Sequence, residues 1–324
     1  MRTPFLLHSV VGITAAAFLM SCSGSGSPVF TSGSLLPNGK VQRATTVSGD
    51  LIYVTTTKKV VILSYPAGKI VATLPWYFPG TNICSDPRNG NVFIPEGANI
   101  YEYAHGGTTP ITMLTVPSGY SEPAGCAVDP STGNLAVAIA FGPSDKGALL
   151  VYVGAQGTPL VYSDKQLRVF DYPAYDGSGN VYVTIDTVKG AFRIAEIRAS
   201  QSRFRLIKVV NYDTGPRKIV WDGNYLTFLG SESDGSTVEQ LQISGKIGTV
   251  VGSVSLVGGS PDGYFWIEGG TVFGSFKKVR RSNNQAIATW TYPDGGNPTG
   301  VFYGLTKGKK DSVTDMTVSV GSSR

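Results

Sequence analysis

The chain has 324 residues, with 27 Lys and Arg against 22 Asp and Glu, 41 Gly, 19 Pro, 15% charged residues and two histidines. A hydrophobic content of 41% provides a core and excludes a disordered chain, while Gly plus Pro well above the roughly 12% of average proteins, without a three-residue period, excludes collagen and marks a turn-rich globular fold. A net charge of +5 is too mild to argue for a nucleic-acid partner, and two histidines leave little for a zinc site or for imidazole chemistry.

Taken in chain order, Arg2, the apolar run from Val10 to Met20 and the small residues after it have the layout of a secretory signal. The run is shorter than the roughly 20 apolar residues needed to cross a bilayer. Leu19-Met20-Ser21-Cys22 resembles the lipobox of bacterial lipoproteins. That resemblance implies a signal over residues 1–21 and a lipid anchor on Cys22; a plain signal with an incidental Cys is the alternative. Ser23, where an Asp would favour the inner membrane, implies the outer membrane or cell surface. Residues 22–40 are rich in Ser and Gly and nearly uncharged, which makes them a flexible tether with a reach of roughly 20–25 Å. Cleavage removes one cation, Arg2, and no acid, so the mature balance falls by one to +4.

Beyond the tether, apolar residues alternate in short runs without sustained helical spacing. A turn followed by a β-rich run recurs as SGD-LIYV, DPRNGN-VFIP, DPSTGN-LAVA, DGSGN-VYVT, WDGN-YLTF and SPDG-YFWI. The last turn residues, Asp50, Asn91, Asn134, Asn180, Asn224 and Gly263, are 41, 43, 46, 44 and 39 residues apart, the length of a four-stranded propeller blade. In the second unit TNICSD, NVFIPE, IYEYAHGG and PITMLTV read as strands A to D, and Gly-Asn and Asn-Gly pairs supply the positive φ of the A–B hairpins. The fold class is therefore all-β, a β-propeller over residues 41–324. Six four-stranded blades fit the anchors, seven are the alternative, and Met316 to Val320 closes the ring beside the first unit. Tyr53-Val54-Thr55 and the closing Val71-Ala72-Thr73-Leu74-Pro75 resemble the YVTN family of bacterial surface propellers, and PAGCAVDPSTGNLAVA resembles NHL-type repeats. Both resemblances imply a fold rather than a function, because propellers host unrelated tasks.

Catalytic equipment is sparse. Once His8 leaves with the signal, His105 remains near the end of a C strand, where packing explains it, and GxSxG, Walker A and GxGxxG motifs are absent. No cofactor or metal is expected. Six-bladed lactonases of the SMP-30 type, which the repeats also resemble, hold a channel metal with Glu, Asn and Asp. Ser121-Glu122-Pro123-Ala124-Gly125 stands where their Glu segment would, so the resemblance implies Glu122 as a ligand in an alternative, hydrolytic reading, without evident Asn or Asp partners. Asp86-x-x-Asn89-x-Asn91 and Asp176-x-Ser178-x-Asn180 are spaced like calcium loops but lack the distal Glu, and hairpin turns explain them. Cys84 and Cys126 could pair in an exported protein. Relative to the following Asp they are offset by one residue and face opposite sides of their strands, so two buried thiols are expected, with a disulfide as the alternative.

Binding residues are sought in the D–A connections around one mouth of the channel. Trp76, Tyr77, Tyr120, Phe170, Tyr172, Tyr175 and Tyr212 could stack on sugar or peptide groups, with Glu122 and Asp171 as polar partners; filling between blades is the competing explanation. The basic residues from Lys189 to Lys218, including Arg203-Phe204-Arg205-Leu206, read as edge protection or as attraction to anionic lipid or polysaccharide. The functional expectation is a non-enzymatic, membrane-tethered binding module for an envelope protein or glycan; a metal-dependent lactonase and an assembly platform are the alternatives.

Overall fold

The computed structural model describes residues 49–75, 82–210, 218–260, 263–276, 286–306 and 311–321. Internal contacts divide the chain into residues 1–43 and 44–324, and every described residue belongs to the second unit. Cys22, the tether, Trp76, Tyr77 and Tyr212 lie outside the described residues.

The described strands, numbered in chain order, pair as antiparallel quartets. The first comprises β24 (Val313–Ser319), β1 (Leu51–Thr56), β2 (Lys59–Ser64) and β3 (Ile70–Pro75). The second is β4 (Cys84–Ser85), β5 (Val92–Glu96), β6 (Asn99–Tyr103) and β7 (Pro110–Thr115). The third is β8 (Ser121–Val128), β9 (Leu135–Phe141), β10 (Ala148–Tyr152) and β11 (Leu160–Tyr162). The fourth is β12 (Leu167–Tyr175), β13 (Val181–Thr187), β14 (Phe192–Ile197) and β15 (Arg205–Val209). The fifth is β16 (Ile219–Trp221), β17 (Leu226–Glu232), β18 (Gly235–Ser244) and β19 (Ile247–Val257), and the sixth is β20 (Phe265–Glu268), β21 (Thr271–Phe276), β22 (Ala286–Thr291) and β23 (Gly295–Phe302). The inner strands β24, β4, β8, β12, β16 and β20 touch in that order, and β20 returns to β24, so the sheets are blades around an axis. The fold is a β-propeller.

Alternation of side chains along a strand gives each blade two apolar faces, and buried apolar clusters fill the spaces between successive blades. Leu51 and Tyr53 of the first blade pack with Ile83, Val92 and Ile94 of the second, while the neighbouring Cys84 and Phe93 face the third. Closure comes from the end of the chain: β24 runs antiparallel to β1, with Val54 opposite Met316 and Leu51 opposite Ser319. His105 seals this junction. Its Nε2–H donates to the Gly49 carbonyl at 3.0 Å, and its Nδ1 lies 2.6 Å from Ser319 Oγ.

The recurrent turns have one mechanism. Asp86, Asp129, Asp176 and Asp222 each accept a backbone N–H two residues on, from Arg88, Ser131, Ser178 and Asn224, at 2.8–2.9 Å. Gly90, Gly133, Gly179 and Gly223 take the positive φ (76, 75, 76 and 106°) that other residues adopt at a cost. These bonds account for the calcium-like spacing of the Asp86 and Asp176 loops. The fifth blade departs from the pattern. Its β19 pairs in parallel with β15 through Lys208 and Ile247, and with β23 through Leu256 and Gly296, joining three blades into one sheet. Gly295 permits that approach, since a Cβ there would stand 2.3 Å from the Ser255 carbonyl oxygen.

The expectation of two buried thiols is corrected: Cys84 and Cys126 form a disulfide, with Cα atoms 5.6 Å apart. The one-residue offset is what allows it. Adjacent blades meet through opposite faces, so a pair bridging them must sit on opposite sides of equivalent strands, and both cysteines lie in the core between the second and third blades.

Candidate functional site

Strand register divides the predicted site residues between different levels of the channel. Tyr120 lies at the mouth, where its ring covers Gly142 and packs against the core between the second and third blades. Glu122 is exposed beside it with φ of 55°, just before the register of β8 slips between Pro123 and Gly125. A carboxylate on left-handed backbone is strained. Asp171 and Tyr172 lie deeper, level with Gly125, whose Cβ position would be 2.6 Å from the Asp171 carbonyl oxygen and 3.4 Å from the Tyr172 Cα. Phe170 is fully buried between the third and fourth blades with its ring 5.4 Å from that of Phe204. Tyr175 is buried in the same core, toward the A–B turns. The structure thus brings Tyr120 to Glu122 and Asp171 to Tyr172, but Phe170 and Tyr175 belong to the packing between blades.

Around Tyr172 the inner strands converge on a polar layer that the sequence reading passed over. Lys218, grouped there with the basic surface residues, is buried instead, immediately before the inner strand β16. Its Nζ donates to Asp315 Oδ1 at 2.5 Å and to the Met316 carbonyl at 2.9 Å, and lies 5.3 Å from the centre of the Trp266 ring. Asp315 Oδ2 accepts the Ile83 N–H at 2.9 Å. Asn82 is buried; its side-chain amide donates to the Ala124 carbonyl, and its Oδ1 has no partner among the described residues. The Tyr172 hydroxyl lies beside that amide, and burial, with Tyr264 and Asp315 nearby, raises its pKa far above the ordinary phenol value.

Burial pulls the Lys218 ammonium below its ordinary pKa and pushes the Asp315 carboxyl above its own, while each opposes the shift of the other. Charges removed from water this completely persist through good geometry and further hydrogen bonds. A positional rule could have found the layer: Asn82, Tyr172 and Lys218 each stand four residues before a turn acid, Asp86, Asp176 and Asp222, and Tyr264 stands four before Glu268. The side chains differ in type, so no motif announces them.

Among the described residues no three His, Cys, Asp or Glu side chains come together as a metal cluster. The carboxylate at the axis is engaged by Lys218 rather than by other acids. Arg205, from the predicted protected edge, pairs with the buried Glu196. No helix among the described residues is long and apolar enough to cross a membrane.

No known family profile matches the chain, and no curated protein matches it. Among solved structures it is similar to a protein of unknown function from Bacteroides caccae, at 14% identity over 84% of this chain and 99% of that one, with a TM-score of 0.57. It is also similar to TolB from Acinetobacter baumannii, at 14% identity over 85% and 67% of the two chains and a TM-score of 0.57. The Cps50 (Swd1) β-propeller domain of Myceliophteria thermophila follows at 12% identity over 76% and 80%, with a TM-score of 0.48. At these identities the likeness is one of fold.

Proposed function

We propose that the chain is a non-enzymatic binding module of the cell envelope, tethered through a lipid on Cys22 and engaging a protein or glycan through its loops. The observation that carries this reading is the axial ion pair. Lys218 and Asp315 satisfy each other and the backbone around them, so the centre of the channel acts as a staple and recognition falls to the rim. There Tyr120 offers a ring and Glu122 an exposed, strained carboxylate, a pairing suited to hydrogen-bonding an amide or a hydroxyl.

Pulldown of envelope proteins and glycan-array binding by the wild-type chain and by Tyr120→Ala/Glu122→Ala test the site. Capture by wild type that the double variant loses, while the variant remains folded at the assay temperature, supports the proposal; equal capture by both removes the mouth as the site. For the anchor, wild type should fractionate with membranes and Cys22→Ala should not. A soluble wild type would overturn it.

A further inference from the structure

The A–B turns of the fifth and sixth blades enclose a cleft of about 490 Å³ on a different part of the ring from the mouth residues. Its walls are the half-buried rings of Trp221, Tyr225 and Tyr292, and its polar lining includes Asp222, Glu268 and Gln240. This volume falls within the range of small-ligand sites. Asp222 holds the walls together. Its Oδ2 accepts the Tyr292 hydroxyl and, at 3.4 Å, the Gln240 amide, which also donates to the Tyr292 hydroxyl at 2.8 Å. Its Oδ1 accepts the Asn224 and Tyr225 N–H groups at 2.8 and 2.6 Å.

All of these donors are neutral, so none of them pairs the Asp222 carboxylate with a cation at the cleft wall. Glu268 is a second acid in the lining, and among the described residues no Lys, Arg or His lines the cleft. Aromatic faces beside carboxylates attract a cation twice, through the ring quadrupole and through charge, and a guanidinium satisfies both because it stacks and donates in one plane.

We propose that this cleft binds a cationic side chain, an arginine or lysine, of a polypeptide partner. The proposal deepens the binding-module reading and rests on it for the existence of a partner.

The test is an NMR titration of the full-length chain labelled with ¹⁵N at tryptophan, using the peptide Ac-Gly-Arg-Gly-NH2 and its citrulline counterpart. The Trp221 indole resonance is assigned by its loss in Trp221→Phe. The arginine peptide should move it saturably; citrulline, which keeps the shape and loses the charge, should bind about tenfold more weakly, equivalent to ~1.4 kcal/mol. Glu268→Gln should weaken the arginine peptide several-fold, whereas Asp145→Asn, on an exposed connection of the third blade, should not; unshifted resonances of the other tryptophans report that each variant is folded. Equal binding of citrulline, an unmoved Trp221 at tens of millimolar peptide, or a response to the neutral disaccharide maltose in place of arginine would each overturn the proposal. A failed titration with partner capture intact removes the cleft and leaves the binding module standing.

Discussion

Lys218 and Asp222 stand four residues apart on the approach to one hairpin, yet their charges meet opposite fates. At the axis Lys218 is sealed against Asp315, and two ions removed from water neutralise each other. At the cleft Asp222 stays half-buried and is held by an amide, a phenol and two backbone N–H groups, none of which cancels its charge. The first arrangement consumes its electrostatics in holding inner strands together, and the second leaves them available. Burial of an ionised group is therefore a poor guide to function in this ring. What distinguishes a staple from a site is whether the partners of the charge are themselves charged.

The largest expected effect breaks the axial side of this contrast. Lys218→Met leaves Asp315 buried without its cation and should cost about 3–5 kcal/mol in urea unfolding. Lys218→Met/Asp315→Asn, which keeps an acceptor for the Ile83 N–H, should recover most of that loss; a double variant no better than the single would mean that the ion pair itself carries net stability. Next comes the covalent link between the second and third blades. Reduction, or Cys84→Ser/Cys126→Ser, should lower stability by about 3 kcal/mol, and unreduced wild-type chain should resist thiol alkylation at both positions when assayed by mass. In the cleft, Asp222→Asn should cost only about 1–2 kcal/mol, the loss of hydrogen bonds to a charged acceptor, so a penalty as large as that of Lys218→Met would erase the distinction between the two regions.

The smallest effect concerns pH. Burial would raise the Asp129 pKa, but hydrogen bonds from Thr132 and Ser131 hold it below its ordinary value. A carboxyl depressed in the folded state stabilises fully above its unfolded pKa of about 3.9 and loses that contribution as pH falls through the folded value. Asp129→Asn should thus be less stable than wild type at neutral pH, by roughly 1 kcal/mol, with the gap narrowing under strongly acidic conditions. A gap that stays constant between neutral and acid unfolding curves would count against the carboxylate as the turn's anchor.

The parts of the fold that were legible in the sequence are those encoded locally. An Asp that accepts its own turn's N–H groups, followed by Gly and Asn, writes its requirement within six residues, and its return every forty or so residues exposes the blade period. The closing role of Met316 to Val320 was legible for the same reason, as an inner-strand pattern left over at the end. Convergence at the axis was not, because Asn82, Tyr172, Lys218 and Asp315 come from four blades and share a level without sharing chemistry. The cysteine pair was misjudged by treating equivalent strands as if they presented the same face to each other. The aromatic residues were legible as a set but not as a surface, since Phe170 and Tyr172, two positions apart, face a core and the channel layer respectively.

One consequence of the closing strand concerns time rather than energy. The segment that completes the first blade lies more than two hundred residues beyond β1, so β1 waits with an unpaired edge while they emerge. Such non-local pairing is intrinsically slow. A chain cut before β24 is therefore not a smaller propeller but an open one, with an exposed strand edge at the seam. Docking of the seven-residue β24 against β1 is the step that covers that edge.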